Sequence, residues 1–172
     1  MFIAIDGYNF IKQSPELRRL EQIELQKARE GLIERLAQYK RLRGHAITVV
    51  FDGGPQGTLG EHRDRSRGIE IIFSKPGEKA DDVIKRLSAE KREGITVVTS
   101  DRDVALFAAK KGAIAIPVSE FAEKMEMAEI YVWKGGESEN LFHDRPVAPA
   151  KKGPSHRLSK SQRKAAAATK KL

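Results

Sequence analysis

Acidic residues follow three apolar stretches of the sequence, at points where buried strands would end. Asp6 directly follows the apolar residues 2–5 and opens an Asp-Gly-Tyr-Asn tetrapeptide that closes with Asn9. Asp52 and Asp101 follow two later apolar stretches in the same way. Parallel strands present their carboxyl ends at one edge of a sheet, where α/β proteins bind their ligands. These acids are therefore candidate functional residues.

Three further aspartates, Asp81, Asp82 and Asp103, stand where helices are predicted to begin near the same edge. Carboxylate oxygens are hard ligands that suit Mg²⁺ or Mn²⁺. Carboxylates within about 4 Å of one another would repel by about 4 kcal/mol per pair at an effective dielectric near 20. If these groups converge, they predict a bound divalent ion or a basic partner, and Asn9 and Ser100 would add neutral oxygens.

Each acid also has an ordinary structural explanation. Asp6 can cap a turn, and Asp52 begins an Asp-Gly-Gly-Pro sequence that suits a turn. Asp81 and Asp82 fall in the first turn of one predicted helix, and Asp101 and Asp103 open another. Acids at such positions offset the helix dipole by a few tenths to about 1 kcal/mol. The sequence leaves both explanations open, because it does not show whether these side chains point to one place.

The apolar pattern predicts five strands separated by helices. The strands lie near residues 2–5, 46–51, 69–73, 96–99 and 113–117, and the helices near 15–43 (with a break at 21–24), 80–92, 103–111 and 119–133. The alternation predicts a mostly parallel sheet covered by helices on both faces. The glycine-rich, charged residues 53–68 are predicted to form a loop.

The positive charge of the chain is concentrated at its C-terminal end. Of the 32 Lys and Arg residues, nine fall in residues 145–172, and none of the 24 Asp and Glu residues do. We predict a folded domain over residues 1–134 and a basic, low-complexity, disordered tail over residues 135–172. Such a tail suits contact with nucleic-acid phosphates, although a solubilising terminus would have the same composition.

Several classes of protein are excluded or disfavoured by the sequence. The 172 residues contain no cysteine, which excludes disulfides and cysteine-based sites and fits a reducing cytoplasm. No apolar stretch has the length of a membrane helix, and no basic, apolar leader opens the chain, so we expect a cytoplasmic protein that does not enter membranes. The phosphate-binding P-loop, the dinucleotide glycine motif and the hydrolase Gly-x-Ser-x-Gly motif are all missing.

Four motifs together resemble the YacP-like branch of the NYN-domain family, which has a PIN-like nuclease fold. They are Asp-Gly-Tyr-Asn at 6–9, Val-Val-Phe-Asp at 49–52, Lys-Ala-Asp-Asp at 79–82 and Thr-Ser-Asp at 99–101. The resemblance covers residues 1–130 and leaves out the basic tail. It implies a PIN-like three-layer α/β sandwich.

The resemblance also implies a metal-dependent endoribonuclease and, for this branch, one that works at the ribosome. Asp6 matches the acid of the first strand, and Asn9 its companion amide. Asp81 matches the acid that opens the middle helix, with Asp82 as the alternative, and Asp101 matches the acid after the fourth strand. Asp103 is a further candidate metal ligand, and Asp52 and Ser100 are expected to support the site.

We expect these acids to hold one or two Mg²⁺ or Mn²⁺ ions against an RNA phosphate. RNA would be bound by the charged loop and by the tail, through Arg63, Arg65, Arg67, Lys151, Lys152, Arg157, Arg163 and Lys164. Two rivals remain: a non-catalytic module of the same fold that binds RNA or the ribosome, and a Mg²⁺-dependent phosphatase for small phosphoesters. The sequence does not set the oligomeric state.

Overall fold

The computed structural model describes residues 1–53 and 60–133, and in that part of the chain six strands form one sheet. The strands are β1 (Phe2–Asp6), β2 (Ala46–Phe51), β3 (His62–Ser66), β4 (Ile69–Phe73), β5 (Ile95–Val98) and β6 (Ile114–Ile116). Their order across the sheet is β3-β4-β2-β1-β5-β6. All neighbouring pairs are parallel except β3 and β4, so the predicted mostly parallel sheet is confirmed.

Helices cover both faces of this sheet. They are α1 (Gly7–Gln13), α2 (Pro15–Ile23), α3 (Leu25–Arg43), α4 (Ala80–Lys91), α5 (Arg102–Lys110) and α6 (Val118–Trp133), with a short 3-10 turn at Arg92–Gly94. Side chains alternate along each strand, so neighbouring residues face opposite layers. In β1, Ile3 and Ile5 join the core under α1, α3 and α6, whereas Ala4 joins the core under α4 and α5.

The predicted number of strands was wrong by one, because residues 62–66 form an edge strand rather than part of a loop. β3 pairs antiparallel to β4, with His62 opposite Phe73 and Ser66 opposite Ile69. An edge strand is hydrogen-bonded on one side and largely open to solvent, so it does not need the apolar pattern that marks an inner strand. Its charged sequence therefore concealed it.

Helix boundaries near the N-terminus also differ from the prediction. The break within residues 15–43 is confirmed, because α2 ends at Ile23 and α3 begins at Leu25. An additional helix, α1, starts directly at the end of β1 and was not predicted. Ser14 ends α1 before Pro15 starts α2. The prediction missed α1 because its seven residues span only two turns, too short for a periodic apolar pattern.

Within residues 1–53 and 60–133, no helix is long and apolar enough to cross a membrane. Several predictions concern residues outside the described part of the chain. They are the domain boundary at residue 134, the disorder of residues 135–172 and the RNA contacts of the five tail residues.

Candidate active site

The carboxyl edge of the parallel strands carries a group of aspartates. Asp6 is the last residue of β1, Asp52 follows β2 directly, and Asp101 lies three residues beyond β5. The N-terminus of α4 is held at the same edge, since the Ala80 amide donates to Asp52 Oδ1 at 2.5 Å. This contact places Asp81, in the first turn of α4, beside the other acids.

Asp6 is the most buried member of the group, with 7% of its surface exposed. Its Oδ1 accepts a hydrogen bond from the backbone amide of Asn9 at 3.0 Å and so caps α1. The next residue, Gly7, has no room for a side chain, because an added Cβ would lie 2.3 Å from Phe51 Cε1. The tight packing of Gly7 against the Phe51 ring therefore fixes the backbone that carries Asp6.

The electrostatic environment of Asp6 opposes its negative charge. Burial raises the pKa of Asp6 from 3.8 to about 6, against the lowering effect of the hydrogen bond from the Asn9 amide. Repulsion from Asp81, Asp52 and Asp101 raises the pKa further. Asp81, Asp52 and Asp101 are thus close enough to Asp6 to affect its pKa, a proximity that the sequence left open.

Asp81 lies in a similar field. Burial raises its pKa, and repulsion from Asp101 and Asp52 acts in the same direction, while Lys85 opposes the shift. Asp82 points elsewhere: its Oδ2 accepts from the Lys79 amide at 3.3 Å, and its side chain is exposed. Of the two neighbouring aspartates that the sequence left unresolved, the geometry favours Asp81.

Three of these acids use one oxygen to cap a helix. Oδ1 of Asp6 caps α1, Oδ1 of Asp52 binds the first amide of α4, and Oδ1 of Asp101 accepts from the Asp103 and Val104 amides at 2.8 and 3.0 Å. No described residue donates a hydrogen bond to the Oδ2 atoms of Asp6, Asp52 or Asp101. A structural role for Asp6 and Asp52 thus accounts for one oxygen of each and leaves the second available for a ligand.

Asp103, expected as a metal ligand, is engaged differently. It is 81% exposed, and its Oδ2 accepts a hydrogen bond from Lys85 Nζ at 2.5 Å. That hydrogen bond lowers the pKa of Asp103. The structure therefore places Asp103 as the partner of Lys85, outside the group of four acids.

Asn9 and Ser100 join the two central strand ends. Asn9 Oδ1 accepts from the Ser100 amide at 3.3 Å and from Gln13 Nε2 at 2.5 Å. Ser100 Oγ donates to Gln13 Oε1 at 3.0 Å and accepts from the Val118 amide at 3.3 Å. Both residues were expected to support the site, and here they connect the segment after Asp6 to the segment before Asp101.

The carboxylate oxygens are of the type that a hard divalent cation binds, but the described residues do not enclose a complete binding site for one. In the part of the chain that the structure describes, no three His, Asp or Glu residues lie close enough to hold one ion. Mg²⁺ commonly keeps several waters and is bound by one or two carboxylates together with substrate phosphates. The arrangement of Asp6, Asp81 and Asp101 fits that mode better than an all-protein site.

Comparison with known proteins identifies the family. The family profile for the YacP-like NYN domain matches residues 3–170. The chain belongs to the YacP-like NYN domain family. It is 31% identical over 130 residues to a Bacillus subtilis protein described as uncharacterized protein YacP, a match covering 74% of this chain and 76% of that protein.

Two solved structures of Rae1 (YacP) from Bacillus subtilis share the fold of this YacP-like domain. One has a TM-score of 0.63 at 30% identity and covers 78% of each chain. The other, of a mutant form of that protein, has a TM-score of 0.66 at 29% identity and covers 77% of this chain and 79% of its own. The PIN-like α/β sandwich is therefore confirmed, and the family is nuclease-like.

The predicted RNA-binding arginines of this YacP-like domain do not gather at the aspartate edge. Arg63 forms ion pairs with Glu61 at 2.8 Å and Glu70 at 3.4 Å. Because β3 runs antiparallel to β4, Arg65 and Arg67 lie progressively closer to the opposite edge of the sheet. The loop prediction for these residues was wrong, since Arg63 and Arg65 belong to β3 and Arg67 to the turn that follows it.

A cavity of about 520 Å³ also lies away from the aspartates. It opens beside the first residues of β1, β2 and β4, at the amino edge of the parallel strands. Its lining includes Phe2, Lys40, Thr48, Arg63, Arg65 and Glu70. The acids of this YacP-like domain therefore occupy an open edge of the sheet and not this cavity.

Sequence reasoning missed three residues that the structure brings to the aspartate edge. Lys85 lies one helical turn after Asp81, and Gln13 lies one turn after Asn9, so i, i+4 spacing is a signal that identifies both. The third is Arg29, which contacts the rings of Tyr8, two residues after Asp6, and of Phe51, one residue before Asp52. No spacing rule links Arg29 to these residues, because its contacts depend on the tertiary fold.

Proposed function

We propose that this protein is a metal-dependent endoribonuclease that hydrolyses phosphodiester bonds of RNA at the aspartate edge. One observation carries the proposal: the carboxylate of Asp6 is buried at this edge, where burial and then repulsion from Asp81, Asp52 and Asp101 raise its pKa to about 6. Perturbed titratable groups that converge at one edge are typical of functional sites. Membership of a nuclease-like family supports the same reaction class.

Asp6, Asp81 and Asp101 are the residues that would hold one or two Mg²⁺ or Mn²⁺ ions. When bound, such an ion lowers the pKa of a water and neutralises charge that develops on the phosphate. Asp6 and Asp81 must be deprotonated to bind a cation, and their mutual repulsion favours an arrangement with a positive charge between them. We propose no ligand role for Asp82, and Asp103 acts through Lys85.

Other features of this edge would position the substrate for the reaction. The positive ends of the α4 and α5 dipoles point to this edge and favour the anionic scissile phosphate. A water gives up a proton to solvent and attacks phosphorus, the bond from phosphorus to O3′ breaks, and the leaving O3′ takes up a proton from solvent. The products carry a 5′-phosphate and a 3′-hydroxyl. Asn9, Asp52 and Ser100 keep the strand ends in register while this occurs.

The proposed substrate is cytoplasmic RNA, including messenger RNA on the ribosome. The resemblance of the four motifs to the YacP-like branch motivates this proposal, and the concentration of positive charge in residues 145–172 supports phosphate contact. The proposed RNA-binding residues are Arg65, Arg67 and the tail residues Lys151, Lys152, Arg157, Arg163 and Lys164. Arg63 is a weaker candidate, since two glutamates already pair with it.

A cleavage assay tests the proposal. Purified protein is incubated with single-stranded and structured RNA in Mg²⁺, in Mn²⁺ and in EDTA, beside Asp6→Asn and Asp101→Asn. Asp64→Asn is the matched control, because it removes the same charge from an exposed position in β3. We expect cleavage to need the metal, to be lost in both site variants and to persist in the control. Cleavage by both site variants would refute the site.

A non-catalytic RNA-binding module is the second candidate function. The lack of three closely spaced acidic or histidine ligands in residues 1–53 and 60–133 favours it. RNA binding that is unaffected by Asp6→Asn, with no cleavage by the unmodified protein, would support the module. Release of phosphate from small esters without RNA cleavage would instead indicate a phosphatase.

A further inference from the structure

Arg29, in the second turn of α3, holds together three aromatic rings at the aspartate edge. Its guanidinium carbon lies 5.4 Å from the ring centroid of Tyr8, 5.4 Å from that of Phe51 and 5.3 Å from that of Phe73. Its Nη2 also donates a hydrogen bond to the Tyr8 hydroxyl. One half-buried side chain therefore links α3 to α1, β2 and β4.

The rings also contact one another. The Tyr8 and Phe51 rings pack edge to face at 5.1 Å, and the Phe51 and Phe73 rings stack at 5.7 Å. Arg29 forms no ion pair with any described carboxylate, and its buried Nε has no hydrogen-bond partner among the described residues. Its position is therefore set by the rings and by the Tyr8 hydroxyl, and not by the aspartates.

These contacts fall on the neighbours of the candidate acids. Tyr8 lies two residues after Asp6, and Phe51 immediately precedes Asp52. Gly7, between Asp6 and Tyr8, is already pressed against the Phe51 ring. A shift of either ring would therefore move the backbone that carries one of the two acids.

We propose that Arg29 is a positioning residue that fixes Asp6 and Asp52 through Tyr8 and Phe51. The proposal deepens the proposed function and rests on it for its kinetic part. A planar guanidinium stacks on ring faces and keeps fixed donor directions, which a lysine ammonium does not reproduce. Displacing a reacting group by about 1 Å can slow a reaction by about 100-fold, so loss of the planar group should act on the chemical step.

The first test compares Arg29→Lys and Arg29→Met with Arg35→Lys. Arg35 lies on the same helix and is also partly buried, but among the described residues its polar contacts are with Ser14 and Glu16 and not with the three rings. At a temperature where every variant is folded, we expect kcat for RNA cleavage to fall about 10- to 100-fold in both Arg29 variants. KM should stay within about threefold, and Arg35→Lys should retain the kcat of the unmodified protein.

Tyr8→Phe removes the hydroxyl that accepts from Arg29 and keeps the ring. If Arg29 acts through Tyr8, the double variant Tyr8→Phe, Arg29→Lys should be less impaired than the product of the two single effects. If the loss of kcat in the double variant equals the product of the losses in the two single variants, the two residues are not coupled. A rise in KM with unchanged kcat would refute positioning and indicate that Arg29 contacts RNA directly.

A second measurement does not depend on nuclease activity. The backbone amide of Asn9 donates a hydrogen bond to Asp6. The hydrogen exchange of this amide therefore reports whether that hydrogen bond is kept. We expect this amide to exchange about tenfold faster in Arg29→Lys than in Arg35→Lys, an increase that corresponds to local opening of α1. Unchanged exchange would overturn the inference. If the unmodified protein does not cleave RNA, the proposed function fails and exchange alone decides the role of Arg29.

Discussion

Replacing Asp6 with asparagine should stabilise the protein while removing its proposed activity. Burial raises the pKa of Asp6 to about 6 from its ordinary 3.8, so the folded state disfavours the ionised side chain. A shift of about two pH units, at 1.36 kcal/mol each, amounts to about 3 kcal/mol at neutral pH. Asparagine keeps an oxygen that can cap α1 and carries no charge, so Asp6→Asn should gain about that amount.

The gain has a defined pH dependence. Because the pKa of Asp6 is higher in the folded than in the unfolded protein, the folded state binds more protons between about pH 4 and pH 6. The free energy of unfolding of the unmodified protein therefore falls as the pH rises through that window. The advantage of Asp6→Asn should be near zero below pH 4, about half of its full size at pH 5 and complete above pH 7.

Urea denaturation at pH 3.5, 5 and 8, without divalent ions, measures this difference. Asp6→Ala loses the helix cap as well as the charge, so its gain at pH 8 should be smaller by about 1 kcal/mol. Asp64→Asn, an exposed acid on β3, should change the free energy of unfolding by less than about 0.5 kcal/mol. A destabilised Asp6→Asn protein at pH 8, or a gain that does not vary with pH, would refute the reasoning.

Other perturbations address the packing, the electrostatics and the tail. Gly7→Ala forces a Cβ to within 2.3 Å of the Phe51 ring and should destabilise the protein by about 1–3 kcal/mol in urea denaturation. Lys85→Met removes the group that lowers the pKa of Asp81, so the acid limb of the pH–rate profile for RNA cleavage should move to higher pH. Deleting residues 145–172 should weaken RNA binding and reduce its dependence on salt. The slope of the logarithm of the binding constant against the logarithm of the salt concentration should become smaller by about 0.7 for each single-strand phosphate that the protein no longer neutralises.

Each of these predictions has a control or a contradicting result. Gly94→Ala places its Cβ in open space and should leave stability nearly unchanged. Lys91→Met removes a lysine that lies over Phe2, at the other end of the sheet, and should not move the pH–rate profile. An unchanged salt slope after the deletion of residues 145–172 would show that this segment makes no phosphate contacts.

The acids at strand ends were predictable because their position follows from local sequence and one topological rule. An apolar stretch followed by an aspartate marks the carboxyl end of a buried strand, and parallel strands bring such ends together. This reasoning placed Asp6, Asp52 and Asp101 at one edge, as the structure does. The aspartate pair in α4 needed the helix orientation as well, and only the structure favours Asp81 over Asp82.

The parts that sequence reasoning missed depend on contacts between distant segments. β3 is held by pairing with β4 and by ion pairs rather than by an apolar pattern, so its charged residues were interpreted as a loop. Asp103 had the sequence position of a ligand, but Lys85 reaches it from a different helix. Arg29 contacts three rings that belong to three separate elements, and sequence periodicity does not predict such contacts.

The choice of aspartate at position 6 distinguishes a binding site from a helix cap. Asparagine and aspartate cap helices about equally well, so capping alone does not require a buried charge that costs about 3 kcal/mol. A ligand at about 100 times its dissociation constant stabilises the folded state by about 2.7 kcal/mol, which is of similar size. If Asp6 binds a cation, adding Mn²⁺ should raise the free energy of unfolding of the unmodified protein and leave that of Asp6→Asn unchanged. An equal response of the two proteins would mean that the carboxylate of Asp6 does not take part in cation binding.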